Sequence, residues 1–324
     1  MPTPKLIALD WGSTSARAYL MSDESEVIGQ RQAPLGVLNV QNRDFEGALL
    51  ELCGPWLMVR TNTPIIASGM VGSRQGWVEA PYVEVPAGLA DLAQHMVTTE
   101  IPKKRKLWIV PGVSTAADET AAPDVMRGEE TQIFGALTVA QRADGNGNGL
   151  FILPGTHSKW VRIENGRIVW FKTFMTGELY GLLTQHSILG RLMQPSTAYD
   201  ADAFERAVYY SHSDPFGLSA QLFSARTLAL FDRVAPTGIG DYISGLLIGH
   251  EIYTAEKALA ARGVQPDAVT LIGEVALMRN YQRALTLLGW ASRAAPAFPS
   301  AAGLWRIAEH AGLLGMSVES LSIA

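Results

Sequence analysis

The sequence predicts an α/β fold of two domains with related topology, and three observations carry that prediction. The chain has 324 residues, room for about two domains at roughly 150 residues each. Short apolar runs alternate with segments of helical periodicity throughout, the mixture from which layered α/β architectures are built. One local pattern also occurs twice, about 145 residues apart: strand, glycine-and-hydroxyl turn, strand, polar turn, strand.

In the first copy, Leu6 to Leu9 is an apolar run suited to a fully buried strand, and Asp10-Trp-Gly-Ser-Thr-Ser15 is a turn rich in hydroxyls. A second strand runs from Ala16 to Met21, and a third starts at Val27 after the polar turn Ser22 to Glu26. In the second copy, Leu150 to Leu153 leads into Pro154-Gly-Thr-His-Ser158, then Lys159 to Ile163, the turn Glu164-Asn-Gly166, and Arg167 to Phe171. Helical spacing follows each copy: Phe45 to Val59 and Ala87 to Val97 after the first, and 178–193, 202–210, 220–233 and 241–262 after the second. Within the last of these, Gly245 and Gly249 share one face and predict close helix-on-helix contact. A proline and a glycine between Pro123 and Glu129 precede a helix over 130–142, which sets domains of 1–128 and 129–324; Asp144 to Gly149 reads as a surface loop of the second.

Composition narrows the class. With 48% apolar and 18% charged residues, the chain lies far from the disordered regime. A formal charge of −5 removes the basic footprint that nucleic-acid binding needs, and the one dense basic run, Lys103 to Lys106, reads as a solvated loop. The single cysteine, Cys53, permits no intrachain disulfide and no thiolate zinc site, as expected of a cytoplasmic protein. The longest uncharged stretches, such as 61–73, fall short of the roughly 20 apolar residues of a spanning helix. The six histidines show no metal-binding spacing, and the tryptophans, Trp11 and Trp160 among them, read as core or cleft-wall residues.

The chemistry-bearing residues lie at the turns. Gly12, Ser13 and Thr14 in one turn, and Gly155, Thr156 and Ser158 in the other, combine glycine with backbone and side-chain donors, a combination suited to phosphate oxygens. No Walker-type P-loop is present. Asp10 ends a buried strand, where a carboxylate can hold Mg²⁺ through water; Lys159 can add a donor. Glu129 and Glu130, behind Gly128, start a helix whose dipole keeps a first-turn carboxylate charged: a weak base, but one able to orient a hydroxyl for phosphoryl transfer. Val269 to Glu274 reads as a strand, glycine and helix start that can pack on an adenosine.

Taken together, Asp10-Trp-Gly-Ser-Thr14, Met126-Arg-Gly-Glu-Glu-Thr-Gln132, Leu153-Pro-Gly-Thr-His-Ser-Lys-Trp160 and Leu271-Ile-Gly273 resemble the motifs of sugar kinases of the actin-like ATPase superfamily. With Ala67 to Gly72, Val85 to Leu89, Pro111 to Val113 and Ser244 to Glu251, the chain more narrowly resembles the 2-dehydro-3-deoxygalactonokinases. That resemblance implies two ribonuclease-H-like domains facing a central cleft, ATP and Mg²⁺ as cofactors, and transfer of the γ-phosphate to the 6-hydroxyl of a 2-keto-3-deoxy sugar acid in galactonate breakdown. It assigns Asp10 through Thr14 and Gly155, Thr156, His157, Ser158 and Lys159 to phosphate, and Gly273 with Glu274 to the adenosine end. Many such kinases place Asp at the helix start; here the base falls to Glu130, with Glu129 next. The sugar acid would be held by Ser73 and Arg74, the arginine taking its carboxylate as a bidentate pair, with Asn39, Glu84 and Thr176 as further candidates. The expected partners are the sugar acid and ATP, with no nucleic acid or membrane, and a homodimer as an option. A phosphatase of the exopolyphosphatase type and an actin-like or chaperone-like ATPase switch are the alternatives.

Overall fold

The structure, a computed structural model, describes residues 2–59, 62–116, 122–137, 147–213, 215–265 and 268–315. Two compact units divide it: Met1–Gly149, Arg162–Phe171 and Ala295–Ala324 form the first, Leu150–Val161 and Lys172–Ala294 the second.

The first unit opens with β1 (Pro4–Trp11), β2 (Ala16–Ser22) and β3 (Val27–Ala33), then α1 (Phe45–Val59) and β4 (Ile65–Gly69). It continues through β5 (Tyr82–Glu84), β6 (Ala87–Gly88), α2 (Leu89–Gln94), β7 (Val97–Ile101), β8 (Arg105–Ile109), β9 (Gly112–Ser114), β10 (Val125–Met126) and α3 (Glu129–Ala136). There follow β11 (Gly149–Leu153), β12 (Ser158–Glu164), β13 (Arg167–Phe174), α4 (Thr176–His186), α5 (Ala201–Ser213), α6 (Leu218–Leu230) and α7 (Ile239–Ala260). The chain closes with β14 (Val269–Leu271), α8 (Val275–Leu287), β15 (Ser292–Ala294) and α9 (Pro299–His310).

One six-stranded sheet has the order β3-β2-β1-β4-β8-β7, the other β15-β14-β11-β12-β13-β6, and β10-β9-β5 form a small third sheet. Read from the third strand of each copy, β3-β2-β1-β4-β8 and β13-β12-β11-β14-β15 follow the same path, so the duplicated strand triple does report duplicated topology. In each, the first strand runs parallel to the strand that follows the intervening segments: β1 with β4, β11 with β14. Leu6, Ile7, Ala8 and Leu9 are all 0% exposed, which explains why β1 is continuously apolar rather than alternating.

Several boundaries differ from the sequence expectation. The helix expected over Ala87 to Val97 shrinks to α2, because Ala87 and Gly88 pair with Ile168 and Arg167 while the β-branched run from Val97 pairs with β8. The helix expected to reach Met193 stops at His186, where the Ser187 hydroxyl donates to the Leu183 carbonyl at 2.6 Å and ends the turn. The helix expected over 130–142 ends at Ala136; residues 138–146, with the first half of the expected Asp144 to Gly149 loop, lie outside the described residues. The basic run is not all loop: Arg105 starts β8 and its guanidinium donates to the carbonyls of Leu57 (3.2 Å) and Thr63 (2.6 Å).

Glycines permit two tight helix contacts. A Cβ on Gly245 or Gly249 of α7 would lie 2.3 Å from the Phe204 carbonyl or the Ser211 hydroxyl of α5, so this pair serves packing, as the sequence suggested. In the first unit, a Cβ on Gly135 of α3 would sit 1.9 Å from Pro299 O, and one on Gly303 of α9 1.8 Å from Thr131 O. That contact groups α3 with the first unit, although the sequence assigned it to the second domain (129–324). It also lays α9 beside the end of β1.

Candidate active site

In the first unit, backbone crowding brings the acidic residues together. Gly69 ends β4 with φ +92°, and a Cβ there would lie 2.7 Å from the Trp11 carbonyl. Gly128 precedes α3 with φ +107°, and its Cβ would lie 3.2 Å from the Gly69 Cα. Only glycine tolerates both the positive φ and the approach, so the ends of β1 and β4 and the start of α3 meet at one point. Asp10 and Glu129 consequently interact electrostatically.

Asp10 accepts a hydrogen bond from the Ser300 hydroxyl of α9 at 2.7 Å and faces Arg17 at 3.7 Å. Its pKa is raised, chiefly by burial and in part by the charge of Glu129, against the lowering effects of Ser300 and Arg17. Glu130 is 0% exposed, and both its carboxylate oxygens accept the Gly128 N–H, at 2.9 and 2.7 Å, with the Thr131 hydroxyl at 3.1 Å. Burial, then the neighbouring Glu129, pushes its pKa up to about 8. Glu129 is half-buried and accepts the Arg127 N–H at 3.0 Å. Of the two glutamates, Glu129 alone keeps exposed surface.

The first turn is pinned from behind. The carbonyls of Gly12, Ser13 and Thr14 accept from Val37 N (3.0 Å), Leu38 N (2.9 Å) and Asn39 Nδ2 (2.9 Å), and Trp11 Nε1 donates to Leu35 O at 2.7 Å. Asn39, a substrate candidate from sequence, therefore braces the turn. Neither Gly12 nor Gly155 has a positive φ. Ser73 donates to the Met70 carbonyl at 2.8 Å, Glu84 is exposed on β5, and Arg74 is exposed and paired with Glu79 at 2.9 Å.

In the second unit, Gly155 lines a cavity of about 440 Å³ together with Thr176, Tyr180, Glu274, Leu277 and Tyr281. A Cβ on Gly155 would meet no protein atom within 4 Å. The size is that of pockets that take small organic ligands. The predicted strand, glycine and helix lie here: β14, Gly273, then α8, whose first turn Glu274 caps by accepting the Leu277 N–H at 3.0 Å. The backbone amides of Ala276 and Leu277 lower the Glu274 pKa. His157 meets Glu178 of α4 at 2.5 Å, and Lys159, a residue only 4% exposed, donates through its ammonium to the His157 carbonyl at 3.0 Å.

Ser158 is fully buried, and its one hydroxyl proton goes to Glu251 of α7 at 2.8 Å. Thr176 likewise donates to Glu251, and it belongs to the second unit, apart in the chain division from Asn39, Ser73, Arg74 and Glu84. Trp160 Nε1 (2.7 Å) and Tyr281 OH (2.7 Å) complete the set. Burial pushes the Glu251 pKa up and these four donors pull it down, with burial the larger effect. Sequence reasoning assigned no site role to Glu251, Ser300 or Tyr281. For Glu251 a signal existed: an acid with Ile248, Ile252 and Ala255 as neighbours on a buried helix face needs partners.

No group of three or more His, Cys, Asp or Glu suited to a metal is present among the described residues, nor is any helix long and apolar enough to cross a membrane. Trp11 and Trp160 are both core residues at 0% exposure, as expected.

Comparison with known proteins adds context. Residues 10–307 match the family model described as 2-keto-3-deoxy-galactonokinase. The 2-dehydro-3-deoxygalactonokinase of Escherichia coli (strain K12) is 33% identical over 287 residues, 89% of this chain and 91% of the relative. A crystal structure from Sinorhizobium meliloti, of a protein assigned to the same activity, is 36% identical with a TM-score of 0.79, covering 94% of this chain and 98% of that one. The activator of 2-hydroxyisocaproyl-CoA dehydratase from Clostridium difficile, solved with bound ADPNP, has a TM-score of 0.50 at 14% identity and covers 99% of this chain and 98% of that one. At that identity the likeness concerns the fold alone, the α/β architecture expected from the duplicated strand triples.

Proposed function

The chain belongs to the 2-keto-3-deoxy-galactonokinase family, and from that premise we propose that it transfers the γ-phosphate of ATP to the 6-hydroxyl of 2-dehydro-3-deoxy-D-galactonate, in the cytoplasmic breakdown of galactonate. The observation that carries the assignment of roles is the half-buried carboxylate of Glu129, fixed at a helix start beside Asp10.

Phosphoryl transfer asks the protein to align an acceptor hydroxyl and to counter charge on the phosphates. Glu129 orients the hydroxyl; Glu130, sealed beneath it, holds the Gly128 amide and fixes the helix start. Asp10 would hold Mg²⁺, and the residues fit: a mostly buried oxygen ligand, its pKa raised chiefly by burial, next to a second carboxylate. When bound, the ion supplies neutralisation of the β- and γ-phosphate charge. The amides around Ser13 and Thr14 and those of 155–157 contact phosphate oxygens, and Lys159 places positive charge behind the second turn. Gly155 leaves room for a phosphate where any other residue would place a Cβ, and the adjoining cavity takes the adenosine against Glu274 and Leu277. Arg74, exchanging Glu79 for the sugar-acid carboxylate, with Ser73 and Glu84 near it in sequence, serves the acceptor.

An ADP-release assay over 2-keto-3-deoxy acids and simple hexoses tests the reading. Turnover is expected with the C6 acid and ATP, and E129Q is expected to lower kcat by about 10² or more, the scale of losing a positioned carboxylate. Phosphate release without an acceptor would favour the phosphatase, and turnover confined to hexoses would remove the acid specificity.

A further inference from the structure

Glu251 lies in the middle of α7, 1% exposed, with no part in the roles above. Its Oε1 accepts from Ser158 Oγ (2.8 Å) and Trp160 Nε1 (2.7 Å), and its Oε2 from Tyr281 OH (2.7 Å) and Thr176 Oγ1. A carboxylate has about four acceptor positions, and all are filled. The four donors come from the second phosphate turn and the strand leaving it, the first residue of α4, and α8. Thr176 and Tyr281 also line the cavity that Gly155 borders. None of these hydroxyls can give its proton to a ligand without releasing Glu251.

We propose that Glu251 is the positioning residue of the nucleotide site, a buried carboxylate that fixes the phosphate turn, the start of α4 and the adenosine-side helix in one register. This deepens the kinase reading and rests on it. A buried carboxylate is costly unless every oxygen is partnered, so the four hydrogen bonds form as a set and resist small shifts of any one element. The residue acts on ATP through Ser158, Thr176 and Tyr281, not by touching it. The acceptor side, in the first unit, is left alone.

The glutamine variant discriminates. Trp160 can only donate, so the amide oxygen of E251Q must stay with Trp160 and Ser158, and its NH₂ then faces Thr176 and Tyr281, which no longer have an acceptor. Calorimetry with ADPNP, which needs no acceptor, is expected to show Kd raised about tenfold or more, the scale of a lost charge-assisted hydrogen bond. The KM for ATP should rise likewise and the KM for the sugar acid stay within about twofold of wild type. L259A, which cuts a buried side chain on the same helix, controls for lost stability and should leave the ADPNP Kd unchanged. Should E251Q not fold, Y281F removes a single bond of the set and should show the same pattern in weaker form. Wild-type Kd in E251Q or in Y281F, or equal weakening by L259A, overturns the proposal. Failure of wild type to phosphorylate the acid while binding ADPNP normally would count against the proposed acceptor and not against Glu251.

Discussion

Replacing Glu130 with Gln keeps the shape of the side chain and removes its charge, which isolates the energetic cost of sealing a carboxylate under α3. The group is 0% exposed, and its pKa is pushed from the ordinary 4.5 up to about 8. Because the folded state holds the proton more tightly than the unfolded chain, the contribution to stability is fully present below the unfolded value near 4.5 and is lost as pH rises through the folded value near 8. At about 1.4 kcal/mol per pH unit, wild type should lose roughly 4 kcal/mol from this group between pH 5 and pH 9, an order-of-magnitude figure. E130Q titrates nothing there. Urea unfolding of both proteins at pH 5, 7 and 9 gives the measurement, and the difference between them cancels the other titrating groups. The gap should widen with pH in favour of E130Q, whose kcat should stay within a few-fold of wild type at pH 7 because Glu129 does the orienting. A difference that stays flat within about 1 kcal/mol, or a kcat loss in E130Q matching that of E129Q, would refute the reasoning.

Two further substitutions probe the backbone. G155A adds a Cβ that meets no protein atom within 4 Å, so Tm should hold while ADPNP binding in calorimetry weakens by about tenfold; unchanged binding would place the phosphates elsewhere. G303A drives a Cβ to 1.8 Å from the Thr131 carbonyl, so α9 and α3 must separate. A loss of roughly 3 kcal/mol in urea unfolding is expected, the upper range for overpacking, along with reduced kcat as Ser300 and Glu129 shift; a silent variant would show that the two helices slide freely.

The strand triples were legible because burial imposes a local pattern: a strand covered on both faces reads as an unbroken apolar run, and a glycine with hydroxyls ends it. Phe45 to Val59 was legible as a helix for the same reason, its apolar spacing surviving even the break at Cys53 and Pro55. Where two short elements meet, the periodicity covers too few residues, and pairing partners decided instead, as at Ala87 and Val97.

At the site, the residue types and their order along the chain were fixed by sequence: Asp10 at a strand end, two glutamates at a helix start, Gly155 in the second turn, and Glu274 before α8. Accessibility and partnership were not. Nothing local distinguishes Glu129 from Glu130, yet adjacent helix positions point about 100° apart, so one is sealed and the other keeps surface. Ser300 reaches Asp10 across 290 positions and Ser158 reaches Glu251 across 93. Hydrogen bonds between distant segments leave no periodic trace in the chain, because each requires only one polar atom at each end, and packing alone brings those ends together.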